Sequence, residues 1–459
     1  EDQLGLSFDC ADANDAVAVE VHAWDEAGNH DYCVTMILVQ DNNEICDSPV
    51  ASSGNIAGLI ATEDVAPVEG TEVQLSGGRS MMYLTSEGGD YGFENLDYGL
   101  DYTVAPLKDQ NHRNGVSTFD LILIQKHILG TTLLDSPYKM IAADANNSRS
   151  ISTLDLIQIR KLILNIDTEF ANNTSWRFVD ADYRFPNATN PWLTNFPEIR
   201  NINNLDNQTT LANFVGVKIG DVNGSARANA AQDLAPRRIV DVMEISTEEL
   251  DMKQGNVYTV SFKASMEDIA GYQFTLEVDQ SAAQIVDVKA GVAKAENFGV
   301  FTEEGVITTS FHRSAEEEIN GEVLFSLTLR ATSDAALSEA IGINSRYTAA
   351  EAYDTADEEL AVGLVVGKDY SESDFALYQN RPNPFSAETV ISFKLPEAME
   401  AVLEFKDISG RTILLREGDF TSGYNELRMK ADDLPAAGVY FYTLHAGDFV
   451  ATKKMVLTK

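Results

Sequence analysis

Short runs in which apolar and polar residues alternate dominate this chain, and two segments break the rule. Alternation over four to eight residues puts every second side chain on one face of a strand. AVAVEVHA (16–23) and YCVTMILVQ (32–40) predict two strands joined by a turn at Asp25–Asn29. After Ser-Ser-Gly at 52–54 come NIAGLIAT, TEVQLSG, MMYLTS, YGFENL and DYTVAPL, between residues 55 and 107. Gly and Pro punctuate them about every 8–12 residues, the mark of a small all-β sandwich. From 237 to 366 the strands NVYTVSFKAS, GYQFTLEVD, QIVDVKAG, VITTSFHRS, EVLFSLTLRAT and ELAVGLVVG follow. They predict an antiparallel sandwich of roughly eight or nine strands.

The exceptions are VSTFDLILIQKHIL (116–129) and ISTLDLIQIRKLIL (151–164), which are thirty-five residues apart and identical at nine of fourteen positions. Leu121, Ile124 and Ile128 sit at i, i+3 and i+7, as do Leu156, Ile159 and Ile163, so each segment predicts a helix with one face to bury. The fold class is therefore mainly β: a multi-domain chain of antiparallel, immunoglobulin-like sandwiches with one small helical module.

An acidic loop leads into each helix. The first opens Asp109-Gln-Asn111 and the second Asp144-Ala-Asn146, and each has an aspartate eleven residues on, at Asp120 and Asp155. That is the ligand spacing of a twelve-residue calcium loop, in duplicate. A cap offers a metal-free account: Thr118 and Thr153 precede the helices, and Asp120 and Asp155 suit a first helical turn. Duplication of the whole loop favours calcium, because a cap needs no Asp-x-Asn upstream. Both loops depart from the strong pattern. The first has Arg113 and Asn114 where a ligand and a glycine belong, with Gly115 one place late; the second has Ser148, a candidate ligand, and Arg149. Positive charge beside the ion weakens it, so calcium should bind weakly and better at the second loop, with binding at one loop only as the alternative. Asp221-Val-Asn223-Gly has the same opening with no similar helix after it, which adds Asp221 and Asn223 as a further candidate pair.

Charge supports cations as partners. The chain has 459 residues, 72 acidic against 33 basic, and a net charge of −39. Nucleic acid and anionic membrane are excluded as partners, although an acidic surface also keeps an extracellular protein soluble. No apolar run reaches the ~18 residues needed to span a membrane. No basic-then-apolar signal segment follows Glu1, and a start inside a strand-rich module predicts the C-terminal part of a longer, processed protein. Cys10, Cys33 and Cys46 cluster in the first 46 residues, which points to an oxidising compartment. Cys10 and Cys33, on strand-like stretches, are the expected pair, leaving Cys46 free or paired elsewhere.

Several strings resemble known families. AWDEAGNHDYCVTMILVQD resembles the end of an HYR module, an immunoglobulin-like repeat of large extracellular proteins, over 1–48. Residues 53–107, with Tyr91-Gly92-Phe93 and Tyr102-Thr103-Val104, resemble the carboxypeptidase regulatory-like (prealbumin-like) spacer fold. The loop–helix pair resembles a dockerin, the calcium-loop module that binds cohesins. NTSWRFVDADYRFP and FVGVKIGDVNG extend it over 108–224, as in surface proteins of the Bacteroidetes. A linker at 225–236 precedes 237–366, where IAGYQFTLEVD and EVLFSLTLRAT resemble the cohesin family. A second linker at 367–376 leads to 377–459. There Gln379-Asn380, Pro382-Asn383-Pro384-Phe385, Gly438-Val439-Tyr440 and the terminal TKKMVLTK closely match the type A sorting domain of type IX secretion. That resemblance implies the type IX machinery as partner and export across the outer membrane. Release or attachment to surface glycolipid would follow, usually with removal of this domain. The segment should be a seven-stranded sandwich turning at Asp407–Gly410, with Lys453, Lys454 and Lys459 on a terminal strand that either docks to the exporter or guards an edge.

No catalytic constellation is present. The six histidines, His22, His30, His112, His127, His312 and His445, show no metal-binding spacing, and there is no GxSxG elbow or phosphate loop. His127 stands where the second helix has Leu162, so packing suits it better than ligation. The expected function is a non-enzymatic adhesin or fibre subunit at the cell surface or outside the cell. Its dockerin-like and cohesin-like modules would meet within one chain, link neighbouring chains or build a homo-oligomer. The alternative is the non-catalytic tail of a secreted hydrolase.

Overall fold

The computed structural model describes residues 6–9, 12, 16–24, 30–40, 53–229, 241–313, 323–367, 375–447 and 449–458. The chain forms two compact units: residues 1–107 with 178–183 and 197–216, and residues 108–177 with 184–196 and 217–459.

In the first unit Ala16–Trp24 and His30–Leu38 form an antiparallel hairpin whose expected turn lies outside the described residues. Cys33 faces Val21 across the ladder and is a free, exposed thiol, which corrects the expected pairing with Cys10. Cys10 and Cys46 are outside the described residues. The sandwich predicted over 53–107 is present, but it recruits strands from further along. Ser53–Ala61 pairs antiparallel with Asp90–Asp97 and parallel with Thr209–Leu211, and Ile60 and Ala61 pair with Phe214 and Val215. Arg200–Ile202 extends the second sheet beside Tyr102–Leu107. The reason is backbone pairing: Ile56 and Ile60 are fully buried, and a buried strand cannot leave one row of N–H and C=O groups open. The 108–224 segment is thus shared between the two units, which its sequence pattern did not suggest.

The second unit holds the helices, a large sandwich and the C-terminal domain. In the large sandwich the strands run side by side in the order 283–290, 323–331, 257–263, 242–247, 359–366, 351–354, 269–278, 306–312, 298–301. Every neighbouring pair on this path is antiparallel except Val242–Thr247 and Glu359–Val366, which run parallel with Ile245 beside Leu364. This corrects the expectation of a wholly antiparallel sandwich. A parallel pair needs a long crossover, and here the body of the domain supplies it between its first and last long strands. Phe262 stacks on Phe325 with ring centroids 4.6 Å apart at the centre of the core, beside fully buried Tyr272, Phe274 and Leu327.

The C-terminal domain has the seven strands expected, three in one sheet and four in the other. Met399–Asp407 turns into Thr412–Phe420 through Asp407–Gly410, where Gly410 has φ +81° and its N–H donates to the Asp407 carbonyl. Lys453 and Lys454 lie on Phe449–Leu457, one of the two edge strands of the four-stranded sheet, and Lys459 is outside the described residues.

Candidate functional site

Helices α1 (Thr118–Leu129) and α3 (Thr153–Ile163) carry the two copies of the repeat, with a short helix, α2 (Pro137–Ala143), between them. The caps are Ser117 and Ser152, not the threonines beside them. Each serine accepts from the backbone two residues on, and Asp120 or Asp155 returns a bond to its backbone N–H, closing a capping box. This releases Thr118 for another task. The apolar faces of α1 and α3 pack together, with Leu121, Ile124, Ile159 and Leu162 fully buried. The His127 Nδ1 accepts from the Leu134 N–H and braces the following turn.

The large sandwich has one outer face built of small and polar residues. On strand 306–312, Ile307 and Phe311 enter the core, whereas Thr308, Ser310 and His312 point the other way. On strand 269–278, Tyr272, Phe274 and Leu276 are core, so Gly271, Gln273 and Thr275 share that second face. A half-solvated sheet would leave these side chains wet, yet Gln273, Thr275, Thr308 and Ser310 are all buried. The helix segment covers Gln273, Thr308 and Ser310, and residues 347 and 348 cover Thr275.

The contacts run along α1 and gather at the C-terminal end of α3. The Thr118 N–H donates to Gln273 Oε1 at 2.7 Å, and its hydroxyl meets Ser310 Oγ at 2.8 Å. Phe119 stacks on Tyr353 with centroids 5.1 Å apart. Gly271 leaves room for α1: a Cβ there would stand 3.0 Å from Ile122 Cδ1 and from Thr118 Cγ2. Lys126 reaches Asp357 at 2.6 Å. At the far end of α3, Arg160 bonds His312 Nδ1 at 3.1 Å. The last carbonyls of the helix, which have no intrahelical donor, are taken by a loop and a strand of the sandwich: Thr348 Oγ1 donates to the Ile163 carbonyl at 2.7 Å and Thr308 Oγ1 to that of Leu164 at 2.6 Å. Each such bond contributes about 0.5–1.5 kcal/mol net, and losing one costs more because its partner stays buried. The two helices are not used alike. Leu154 and Ile157, the repeat equivalents of Phe119 and Ile122, are 61% and 45% exposed.

The metal-loop candidates fall into two nests, one of them not contiguous. Around α3, Asp144 accepts from the Ser148 and Arg149 N–H groups, Asn146 Oδ1 from Ser148, and Asp155 from the Asn146 N–H at 3.1 Å. Around α1 the same pattern is completed from about a hundred residues downstream. Asp221 accepts from the Ser225 and Ala226 N–H groups, Asn223 Oδ1 from Ser225, and Asp120 from the Val222 N–H at 2.8 Å. Asp221 and Asn223 make these bonds in place of Asp109 and Asn111, expected in that role, and Asp109 acts on the same buried Lys218 as Asp120 and Asp221. Asp109 instead accepts from the Ser175 N–H at 2.7 Å and lies 3.0 Å from His112 Nε2. Ser225, which sequence spacing did not single out, stands where the other nest has Ser148.

The nest at α1 is a buried charge cluster. Burial, with Asp221 close by, pushes the Asp120 carboxyl well above the usual range, and burial raises Asp221 and Asp144 as well. Lys218 is buried beside them, its ammonium donating to the carbonyls of His112 at 2.7 Å and Ile219 at 2.9 Å, and burial holds its pKa down. At the docking face, burial with the Arg160 charge drives His312 down to about 3, so it is neutral there.

Residues 245–362, which span the helix-bearing sheets, match the Cohesin domain family. The sandwich is a cohesin domain. Residues 381–458 match the Secretion system C-terminal sorting domain. No curated protein matches the chain. Similar solved structures include a type I cohesin–dockerin complex of Clostridium thermocellum, with 15% identity over 30% of this chain and 100% of that one and a TM-score of 0.23. Another is the sixth cohesin of scaffoldin B from Acetivibrio cellulolyticus in complex with a dockerin, at 18% identity over 28% and 99% of the two chains, TM-score 0.23. A third is a type I cohesin of Pseudobacteroides cellulosolvens, at 18% identity over 29% and 97%, TM-score 0.21. Cohesin domains bind dockerins, and the type IX sorting domain makes this a secreted, cell-surface protein. Neither domain is catalytic. Among the described residues no helix is long and apolar enough to cross a membrane.

Proposed function

We propose that this is a non-enzymatic, surface-displayed modular protein, an adhesin or fibre subunit, in which a dockerin-like helix pair is clasped by the chain's own cohesin domain. The observation that carries the reading is the seating of Thr118 on Gln273 and Ser310 at one end and of the Ile163 and Leu164 carbonyls on Thr348 and Thr308 at the other. Contact within the chain leaves that cohesin face covered, so the surface offered to outside partners lies elsewhere on the protein.

Calcium at the two nests is part of the same proposal. Asp144, Asn146, Ser148 and Asp155 would hold one ion, and Asp221, Asn223, Ser225 and Asp120 the other. The donor chemistry fits, since all are hard oxygen groups of the kind that calcium takes from carboxylates, amides and carbonyls. Buried Asp120 and Asp221 raise each other's cost of ionisation, which a divalent cation would relieve. Asp109 and Asn111 take no part in either set. Calorimetric calcium titration of the chelator-treated full chain tests this. Two binding events are expected, with Asp144→Ala and Asp221→Ala removing one each and Asp109→Ala removing neither. No heat of binding, together with a melting profile indifferent to chelator, would remove calcium from the account.

A further inference from the structure

One short loop of the cohesin domain touches both of its neighbours in the second unit. Residues 345–350 join strands 341–344 and 351–354, and the loop is closed on itself by the Ala350 N–H donating to Ser345 Oγ at 3.0 Å. Thr275 anchors it, accepting from the Thr348 N–H at 2.9 Å. One side of the loop holds the helices, through Thr348 on the Ile163 carbonyl and through the Tyr347 carbonyl, which accepts from Arg113 at 3.2 Å. The other side is held by the sorting domain. Arg381 donates to the Ala350 carbonyl at 2.8 Å and pairs with Glu359 at 3.0 Å, and the Ser345 N–H points at the Asn383 carbonyl at 3.4 Å.

The receiving surface is shaped for this strap. The Tyr378 ring occupies the space in which a side chain at residue 363 would stand, so only glycine fits, and the Tyr378 hydroxyl donates to Glu244. Under the strap Ala350 is buried, at 5% exposure, and Glu359 is half-buried, with 10% of its side chain exposed. Without the guanidinium, the Glu359 carboxylate would lose this ion pair and the buried Ala350 carbonyl its Arg381 donor, and the loop would have to shift to rewet that carbonyl. A shift there displaces Thr348, the residue that holds α3.

We propose that the sorting domain is a latch on the helix clasp: its Tyr378–Arg381 strap fills a notch on the cohesin domain, and through loop 345–350 this contact holds the docked helices closed. Displacing the sorting domain from the notch then loosens the helices. The inference rests on the helix pair being docked as described above, and one amide separates the two ideas. Thr118 lies in the first turn of α1, where N–H groups have no intrahelical acceptor, so its protection from hydrogen exchange comes from Gln273 across the docking face.

The test is residue-resolved hydrogen exchange on the full chain, comparing wild type with Arg381→Ala, Tyr378→Phe and Arg428→Ala. Arg381→Ala should speed exchange at Thr118 by about tenfold or more, since a contact worth ~1.4 kcal/mol changes an opening equilibrium tenfold. Tyr378→Phe, which keeps the ring on Gly363, should act in the same direction by less and carries the test should Arg381→Ala fail to fold. Arg428→Ala, whose partner Glu388 lies within the sorting domain, should leave Thr118 unchanged. Faster exchange confined to Thr348 and Ala350, or none anywhere, overturns the latch. Rapid exchange at Thr118 in the wild-type chain would instead overturn the docked helix pair itself.

Discussion

The repeat supplies its own control for the docking face. Ile122 on α1 is 5% exposed and its Cδ1 lies against Gly271, whereas its equivalent on α3, Ile157, is 45% exposed. Truncating each to alanine removes the same atoms from the same helical position and differs only in what covers them. Ile122→Ala removes buried methylenes and leaves a cavity, a loss of about 2–4 kcal/mol. Ile157→Ala removes a half-solvated side chain and should cost under about 1 kcal/mol. A whole-chain melt would mix several domains, so the readout is the Thr118 amide, whose exchange reports opening of this face. At ~1.4 kcal/mol per tenfold, Ile122→Ala should accelerate that exchange by roughly 30-fold to several hundredfold, and Ile157→Ala by less than about fivefold. Equal acceleration in the two variants, or none in Ile122→Ala, would refute the assignment of α1 as the helix that meets the sheet.

Other consequences follow from the same contacts. Thr118→Val keeps shape and removes the hydroxyl that meets Ser310; a loss of about 1–2 kcal/mol in clasp stability is expected by denaturant titration, and Thr153→Val on α3 should be near neutral. His312 has a folded pKa depressed to about 3 from an ordinary 6.5, so its share of stability is complete above pH 6.5 and is lost as the pH falls toward 3, by at most about 1.4 kcal/mol per unit. The midpoint of clasp opening should therefore drop between pH 7 and pH 5 in the wild type and drop less in His312→Gln. Lys218→Met keeps the aliphatic stem but strands the His112 and Ile219 carbonyls and removes the cation beside Asp120 and Asp221. Destabilisation by about 2–4 kcal/mol is expected in chelator, and wild-type stability there would show that the ammonium is dispensable.

Most strands were legible because alternation and burial agree, as in LFSLTL. Both helices were legible from their 3.6-residue spacing. The docking face was harder to see, because Thr308, Ser310 and His312 look like the wet side of a half-exposed strand. Only the helices that cover them bury Thr308 and Ser310 and half-bury His312, and no local pattern encodes that covering. The caps were missed by one residue, since Ser117 and Thr118 both offer a hydroxyl and tertiary contact assigns the threonine to the sheet. The partner of Asp120 was missed for a related reason. Spacing arguments assume a contiguous loop, and Asp109-x-Asn111 sits at the expected distance, yet the Asp221-Val-Asn223 opening folds back to α1 from across the chain. Its Asp-x-Asn-Gly string was visible. What sequence spacing lacked was the helix to which it belongs.

The most direct measurement of the clasp is a disulfide trap across it. In a full chain whose native cysteines are replaced by serine, Thr118→Cys with Ser310→Cys puts two thiols where hydroxyl oxygens now lie 2.8 Å apart. Rapid formation of an intramolecular bond is expected, at a yield independent of protein concentration, while Leu154→Cys with Ser310→Cys should form none. Absence of the first bond, or its appearance only as a dimer that vanishes on dilution, would contradict a helix pair held by the chain's own cohesin domain.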